Sequence, residues 1–125
     1  MNNFRMARIN KQLQREIALI IENDIKKESL KIAIITGVEC SKDLERAKIF
    51  ITAIEKHKRP GILKELTNIK SVIRGILGEK IKLRKVPDLE FIIDTSEDYG
   101  EKIDKILEKL GLINNDNLNA EPEYK

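Results

Sequence analysis

The sequence predicts a single α+β domain in which helices cover one face of a three-stranded sheet. Three observations point there. Apolar residues near the start recur at three- and four-residue steps, and those between 32 and 54 alternate along two short runs. A second helical stretch follows, and a third short apolar run precedes a last helical one. At 125 residues the chain can bury one modest hydrophobic core but not two good ones.

Met6, Ile9, Leu13, Ile17 and Ile20 form one stripe at helical spacing, which predicts a helix over residues 4–25. Arg5, Arg8, Lys11 and Arg15 lie on or beside its polar side. Residues 26–29 break the pattern. Ile32, Ile34, Thr36 and Val38 alternate with Ala33, Ile35 and Gly37, as in a strand whose two faces differ. Ser41, Lys42 and Asp43 make a polar connection to a second strand, Arg46 to Ile54. Its Ala47, Ile49, Ile51 and Ala53 share one face, with Lys48, Phe50, Thr52 and Ile54 on the other. Two such strands joined so briefly form an antiparallel hairpin.

Pro60 suits the first position of a helix, where its missing N–H costs nothing. Ile62, Leu63, Leu66, Ile69, Val72, Ile73, Ile76 and Leu77 continue it over a length that predicts a break near the middle, and Gly75 and Gly78 weaken its last turns. Leu89 to Ile93 reads as a third strand, and Pro87 ahead of it fits a strand start or an edge. Ser96 can cap a last helix, with Glu97 and Asp98 at its positive end, Tyr99, Ile103, Ile106 and Leu110 as its stripe, and Gly111 as its stop. The domain thus spans residues 1–111, and the polar, acidic segment 112–125 is expected to be a disordered tail. The order α-β-β-α-α-β, plus a final helix, is that of a type II KH fold, a nucleic-acid module.

Composition narrows the function. The formal net charge of +3 is uninformative, but its distribution is not. Residues 56–85 hold ten basic side chains against two acidic ones, whereas residues 87–125 hold eleven acids against four lysines. A basic face on a near-neutral protein binds phosphate by releasing counterions, without reading sequence. With three Phe, two Tyr and no Trp, stacking on single-stranded bases is a minor contributor, which favours shape and backbone recognition. One cysteine, Cys40, excludes an intrachain disulfide and fits a reducing, cytoplasmic setting. No stretch resembles a signal peptide or a membrane span.

Chemistry has little to stand on. His57 is the only histidine and has no partner near it in sequence, so it reads as a surface residue. Cys40 reads as a small buried hydrophobe. One His and one Cys cannot build a zinc site of usual composition, and no phosphate-binding loop of the P-loop type occurs. Neither an enzymatic activity nor a cofactor is expected.

Three stretches then become specific. They are Ile35-Thr36-Gly37-Val38-Glu39-Cys40-Ser41-Lys42-Asp43-Leu44 with Ala47 to Ile51; Ile73-Arg74 through Leu77-Gly78 and Ile81 to Phe91; and Tyr99-Gly100 with Ile103-Asp104 and Leu107. Together with Arg8-Ile9, Leu13 and Arg15-Glu16-Ile17, they resemble the ribosome-binding factor A family over residues 4–110. The resemblance implies a KH-like monomer that binds the free 30S ribosomal subunit, assists late maturation of 16S rRNA near its 5′-terminal helix, and serves growth in the cold. Family members carry an Ala-x-Gly kink between the central helices. Here Ile69-Lys70-Ser71 stands at that place, so the kink is expected to be shallower or shifted. Gly75-Ile76-Leu77-Gly78 spells the KH Gly-x-x-Gly but reads as a helix end, since too few residues follow before the third strand.

The leading candidate RNA contacts are Arg74, Lys80, Lys82, Arg84 and Lys85, around the end of the second helical stretch and the lead-in to the third strand. A second set is Arg5, Arg8, Lys11 and Arg15, for which a solvated helix face is an equal account. Lys42 in the hairpin connection and Lys70 complete the candidates. The competing function is a docking module for ribosomal proteins, with RNA contact incidental, motivated by the acidic C-terminal third.

Overall fold

A computed structural model describes residues 3–83, 85–96 and 111. The chain divides into two compact units, Met1–Asp94 and Thr95–Lys125, and the elements named here belong to the first. The last helix and acidic tail expected from the sequence beyond Ser96, and Arg84, lie outside the described residues.

Helix α1 (Asn3–Leu19) runs directly into a π-helical turn, Ile20–Asp24, so the expected helix over 4–25 is realised. Leu13, Ile17 and Ile20 are fully buried, as the three- and four-residue spacing requires. The wider turn accompanies burial of two consecutive residues, Ile20 and Ile21. Strands β1 (Ile34–Cys40) and β2 (Arg46–Thr52), helices α2 (Arg59–Asn68) and α3 (Lys70–Lys80), and strand β3 (Asp88–Ile93) follow in the predicted order. The sheet order is β1-β2-β3, with β1 antiparallel to β2, and β2 parallel to β3. Only a parallel pair needs a long crossover, and α2 and α3 supply it.

The core face of the sheet is Ala47, Ile49 and Ile51 of β2, opposite Leu89, Phe91 and Ile93 of β3. In β1 the expected alternation fails for a specific reason. Ile35 pairs with Ile51, and Val38 with Ile49, so both face the core although they are three residues apart. The register shifts between Ile35 and Gly37, which makes Thr36 the extra residue of a β-bulge. One inserted residue reverses the side on which every later side chain lies. Ile34 is therefore 43% exposed while Val38 is buried, against the prediction that they share a face. Strand ends also differ: β1 begins at Ile34 rather than Ile32, and β2 stops at Thr52, leaving Ile54 87% exposed.

The break between α2 and α3 falls at Ile69, where φ is −108° and ψ is 14°. Its N–H is shared between the carbonyls of Glu65 and Leu66, each at 3.2 Å, a three-centre geometry common where a helix tightens and stops. The kink therefore sits at the Ile69-Lys70-Ser71 position without a glycine, and Ser71 is already helical. Gly75 and Gly78 both lie inside α3, which ends at Lys80; no loop interrupts it between them. Helix α2 begins one residue before Pro60, at Arg59. Pro87 is buried and sits just ahead of β3, an edge strand, as a donor-less residue there should.

Candidate nucleic-acid interface

The ten basic residues of segment 56–85 do not form one free face. Arg59 is buried, 3% exposed, and its Nε donates to the Ala53 carbonyl at 2.8 Å, tying the start of α2 to the end of β2. Arg74 is turned to structural work as well. Its Nε donates to the Pro87 carbonyl at 2.9 Å and its Nη2 to the Val86 carbonyl at 2.7 Å, with the Asp88 carboxylate 3.7 Å away. It clamps the lead-in to β3 onto α3, where Gly78 allows Val86 a close approach. Arg74, expected as a leading RNA contact, thus gives its planar fork to the Pro87 and Val86 carbonyls.

The neighbouring lysines are partly neutralised. Lys80 Nζ lies 3.7 Å from Asp24 of the π turn, and Lys85 is ion-paired with Glu45. Lys82, Lys64 and Lys70 are exposed and form no ion pair among the described residues. Lys82 and Lys85 project outward while Ile81 is buried between the helix and the strand.

Lys42 stands exposed at the tip of the hairpin connection. The connection is rigid: the Ser41 N–H donates to the Arg46 carbonyl at 2.8 Å, and the Leu44 N–H to the Ser41 carbonyl at 2.9 Å. The Ser41 hydroxyl donates to Asp43 at 2.7 Å, and the Asp43 carboxylate accepts the Glu45 N–H at 3.0 Å. Those two bonds hold Asp43 below the usual carboxylate range, the Ser41 bond first. Leu44 has φ +61°, a left-handed conformation costly for a leucine, and its side chain is buried. A polar connection was expected; a buried leucine inside it was not. Cys40 is half-buried, and burial, then the Asp43 charge, pushes its thiol above the ordinary value. Its N–H donates to Asn10 Oδ1 at 2.9 Å.

The second set of candidates lies together on α1. Arg8, Lys11 and Arg15 line a single concavity of about 760 Å³ on α1, together with Gln12, Gln14 and Ile35. Arg5, Arg8, Lys11 and Arg15 are exposed and form no ion pair among the described residues, and Glu16 is the one acid in the lining. Gln14 Nε2 donates to the Ile35 carbonyl at 3.2 Å, so Asn10 and Gln14, one helical turn apart, cover the free edge of β1. Gln12 and Gln14, which the sequence reading did not single out, also line the concavity; Gln12 stands four residues after Arg8 and three before Arg15, and Gln14 three after Lys11, which was the available signal.

His57 is exposed, in a 3₁₀ turn between β2 and α2. Among the described residues no cluster of His, Cys, Asp and Glu could hold a metal ion, and no helix is long and apolar enough to cross a membrane.

Residues 5–107 match the model of the family described as ribosome-binding factor A. The chain belongs to the ribosome-binding factor A family. It is 34% identical to the family protein of Brevibacillus brevis over 88% of this chain and 92% of that one. It is 35% identical to that of Prochlorococcus marinus over 99% and 98%, and 34% identical to that of Staphylococcus epidermidis over 88% and 96%. Among solved structures, the crystal structure of ribosome-binding factor A from Thermus thermophilus is similar with a TM-score of 0.64 at 24% identity, covering 70% of this chain and 93% of that one. A homology model of the Thermus thermophilus factor, fitted into a cryo-electron-microscopy map of its complex with the 30S subunit, has a TM-score of 0.58 at 23% identity, covering 69% and 91%. These two likenesses bear on the fold.

Proposed function

We propose that this chain is a non-enzymatic assembly factor that binds free 30S subunits and assists late maturation of 16S rRNA near its 5′-terminal helix. The observation that carries the RNA contact is the α1 concavity, where Arg8, Lys11 and Arg15 outnumber Glu16 and form no ion pair among the described residues. Cations left unpaired by the fold are the ones whose counterions phosphate can displace. Family membership supports the ribosome as the source of that phosphate, and the Thermus relative fitted into a 30S complex supports the small subunit in particular. Arg5, Lys42, Lys70 and Lys82 extend the contact surface, Lys80 and Lys85 join it at the expense of their ion pairs, and Arg84 continues the same run. The scarcity of aromatics favours recognition of backbone and shape over base readout. The factor acts as a monomer in the cytoplasm.

Co-sedimentation with purified small subunits, large subunits and joined ribosomes, at low and moderate salt, tests the reading. The expected result is binding to free small subunits alone, weakening as salt rises. Equal binding to every particle would reduce the protein to a polycation, and absence of binding would overturn the proposal.

A further inference from the structure

The fold treats the three phenylalanines of the chain differently. Phe91 is buried in the core and Phe50 is half-buried on the sheet, but Phe4, in the first turn of α1, is 86% exposed. An exposed apolar side chain standing by itself needs no explanation. Phe4 has company. Phe4, Arg8, Lys11 and Arg15 follow one another at steps of four, three and four residues, so they share one face of α1, turned away from the buried stripe of Ile9, Leu13 and Ile17. All four are exposed, and the three cations form no ion pair among the described residues.

An aromatic face at the head of a row of free cations narrows what the row can hold. Cations alone attract any phosphate backbone, paired or unpaired. A flat ring adds a condition. Bases inside a duplex stack on one another and offer only their edges, whereas an unpaired base offers its face. Cβ atoms one helical turn apart are about 5–6 Å from each other, so a base on Phe4 sets the phosphate of its own nucleotide, one sugar away, beside Arg8. The strand then runs on toward Lys11 and Arg15 in the α1 concavity. An acidic protein segment would also meet the cations, but it would need only an apolar side chain at position 4, not a flat one.

We propose that Phe4 is a stacking platform for an unpaired RNA base, so that the α1 face holds a single-stranded stretch of RNA rather than a duplex. This rests on the ribosome reading above and names the form of RNA that the same site takes. Stacking is indifferent to base identity, so it accords with recognition of backbone rather than sequence. A lone platform beside several phosphate contacts also accords with the scarcity of aromatics.

The chain has no tryptophan, so Phe4→Trp in the full-length protein carries the sole indole. Its emission should be quenched when 30S subunits or an oligoadenylate of about 12 nucleotides bind, and unchanged when an RNA hairpin duplex of the same length binds. Phe4→Leu keeps an apolar side chain and removes the flat face. It should weaken oligoadenylate binding about 5- to 140-fold, the equivalent of one base stack, and leave the slope of log affinity against log salt unaltered. Arg8→Gln should instead lower that slope by about 0.7, the share of one single-strand phosphate. Binding to 30S subunits without quenching, full affinity in Phe4→Leu, or equal quenching by the hairpin would overturn the stacking proposal alone. Quenching by 30S subunits but not by oligoadenylate would assign Phe4 to a ribosomal protein and overturn it too. Absence of 30S binding by the unaltered protein would overturn the ribosome reading and the stacking proposal with it.

Discussion

Neutralising the α1 concavity should remove more of the salt dependence of ribosome binding than neutralising the lead-in to β3, although the sequence ranks them the other way. The perturbation is Arg8→Gln, Lys11→Gln and Arg15→Gln together, against Lys80→Gln, Lys82→Gln and Lys85→Gln together. Each phosphate contact contributes about 0.7–0.9 to the slope of log affinity against log salt, so three free cations contribute about 2–3. Over a rise from about 50 to about 200 mM salt, that difference makes the variant lose roughly 30-fold less affinity than the unaltered protein. In the comparison set Lys80 and Lys85 already face Asp24 and Glu45, so Lys82 alone acts fully and the slope falls by about one. All six side chains are exposed, so thermal unfolding should confirm intact folds. The assay is a binding isotherm with 30S subunits at several salt concentrations. Equal slopes for the two variants, or a larger loss in the lysine set, would refute the argument that fold-neutralised cations contribute less.

Three further outcomes concern the scaffold. Gly75→Ala should stabilise by about 0.5–1 kcal/mol in urea unfolding, since a helical Cβ there meets nothing within 4 Å, while Gly78→Ala should gain less because its Cβ would lie 3.2 Å from Val86 Cγ2. Leu44→Ala should cost about 2–5 kcal/mol by emptying a buried site, and Leu44→Gly should cost roughly 1 kcal/mol less because glycine tolerates the left-handed backbone; the opposite order would show that the turn carries no strain. Asp43, Glu55 and Glu65 are held below the usual carboxylate range by Ser41, Lys58 and Ser29 respectively as their largest influences. A depressed folded pKa adds stability above the unfolded value and loses it as pH falls through the folded one, so the urea midpoint should stay level from about pH 7 to 5 and decline below about pH 4.

Much of the fold was readable from local pattern. The stripe of Ile9, Leu13, Ile17 and Ile20 and the alternation of Ala47, Ile49, Ile51 and Ala53 each became buried faces, because helix and strand periods are properties of consecutive residues. The break at Ile69 was placed by helix length and by the position of the kink in related chains, even though its glycine is replaced by Ser71. The bulge at Thr36 was not readable. Ile34 and Val38 have the right spacing for one face, and only the pairing of β1 with β2 shows that an extra residue intervenes.

By itself, then, the sequence determined the order of the elements from α1 to β3, the buried faces of α1 and β2, and the presence of a large pool of basic side chains. Which of those cations are free was decided by the tertiary structure alone. Lys85 meets Glu45 from 40 residues away, Asp24 reaches Lys80 across the chain, and Arg59 and Arg74 turn inward onto carbonyls. Neutralisation depends on distances of a few ångströms between residues remote in sequence, and no count along the chain contains those distances.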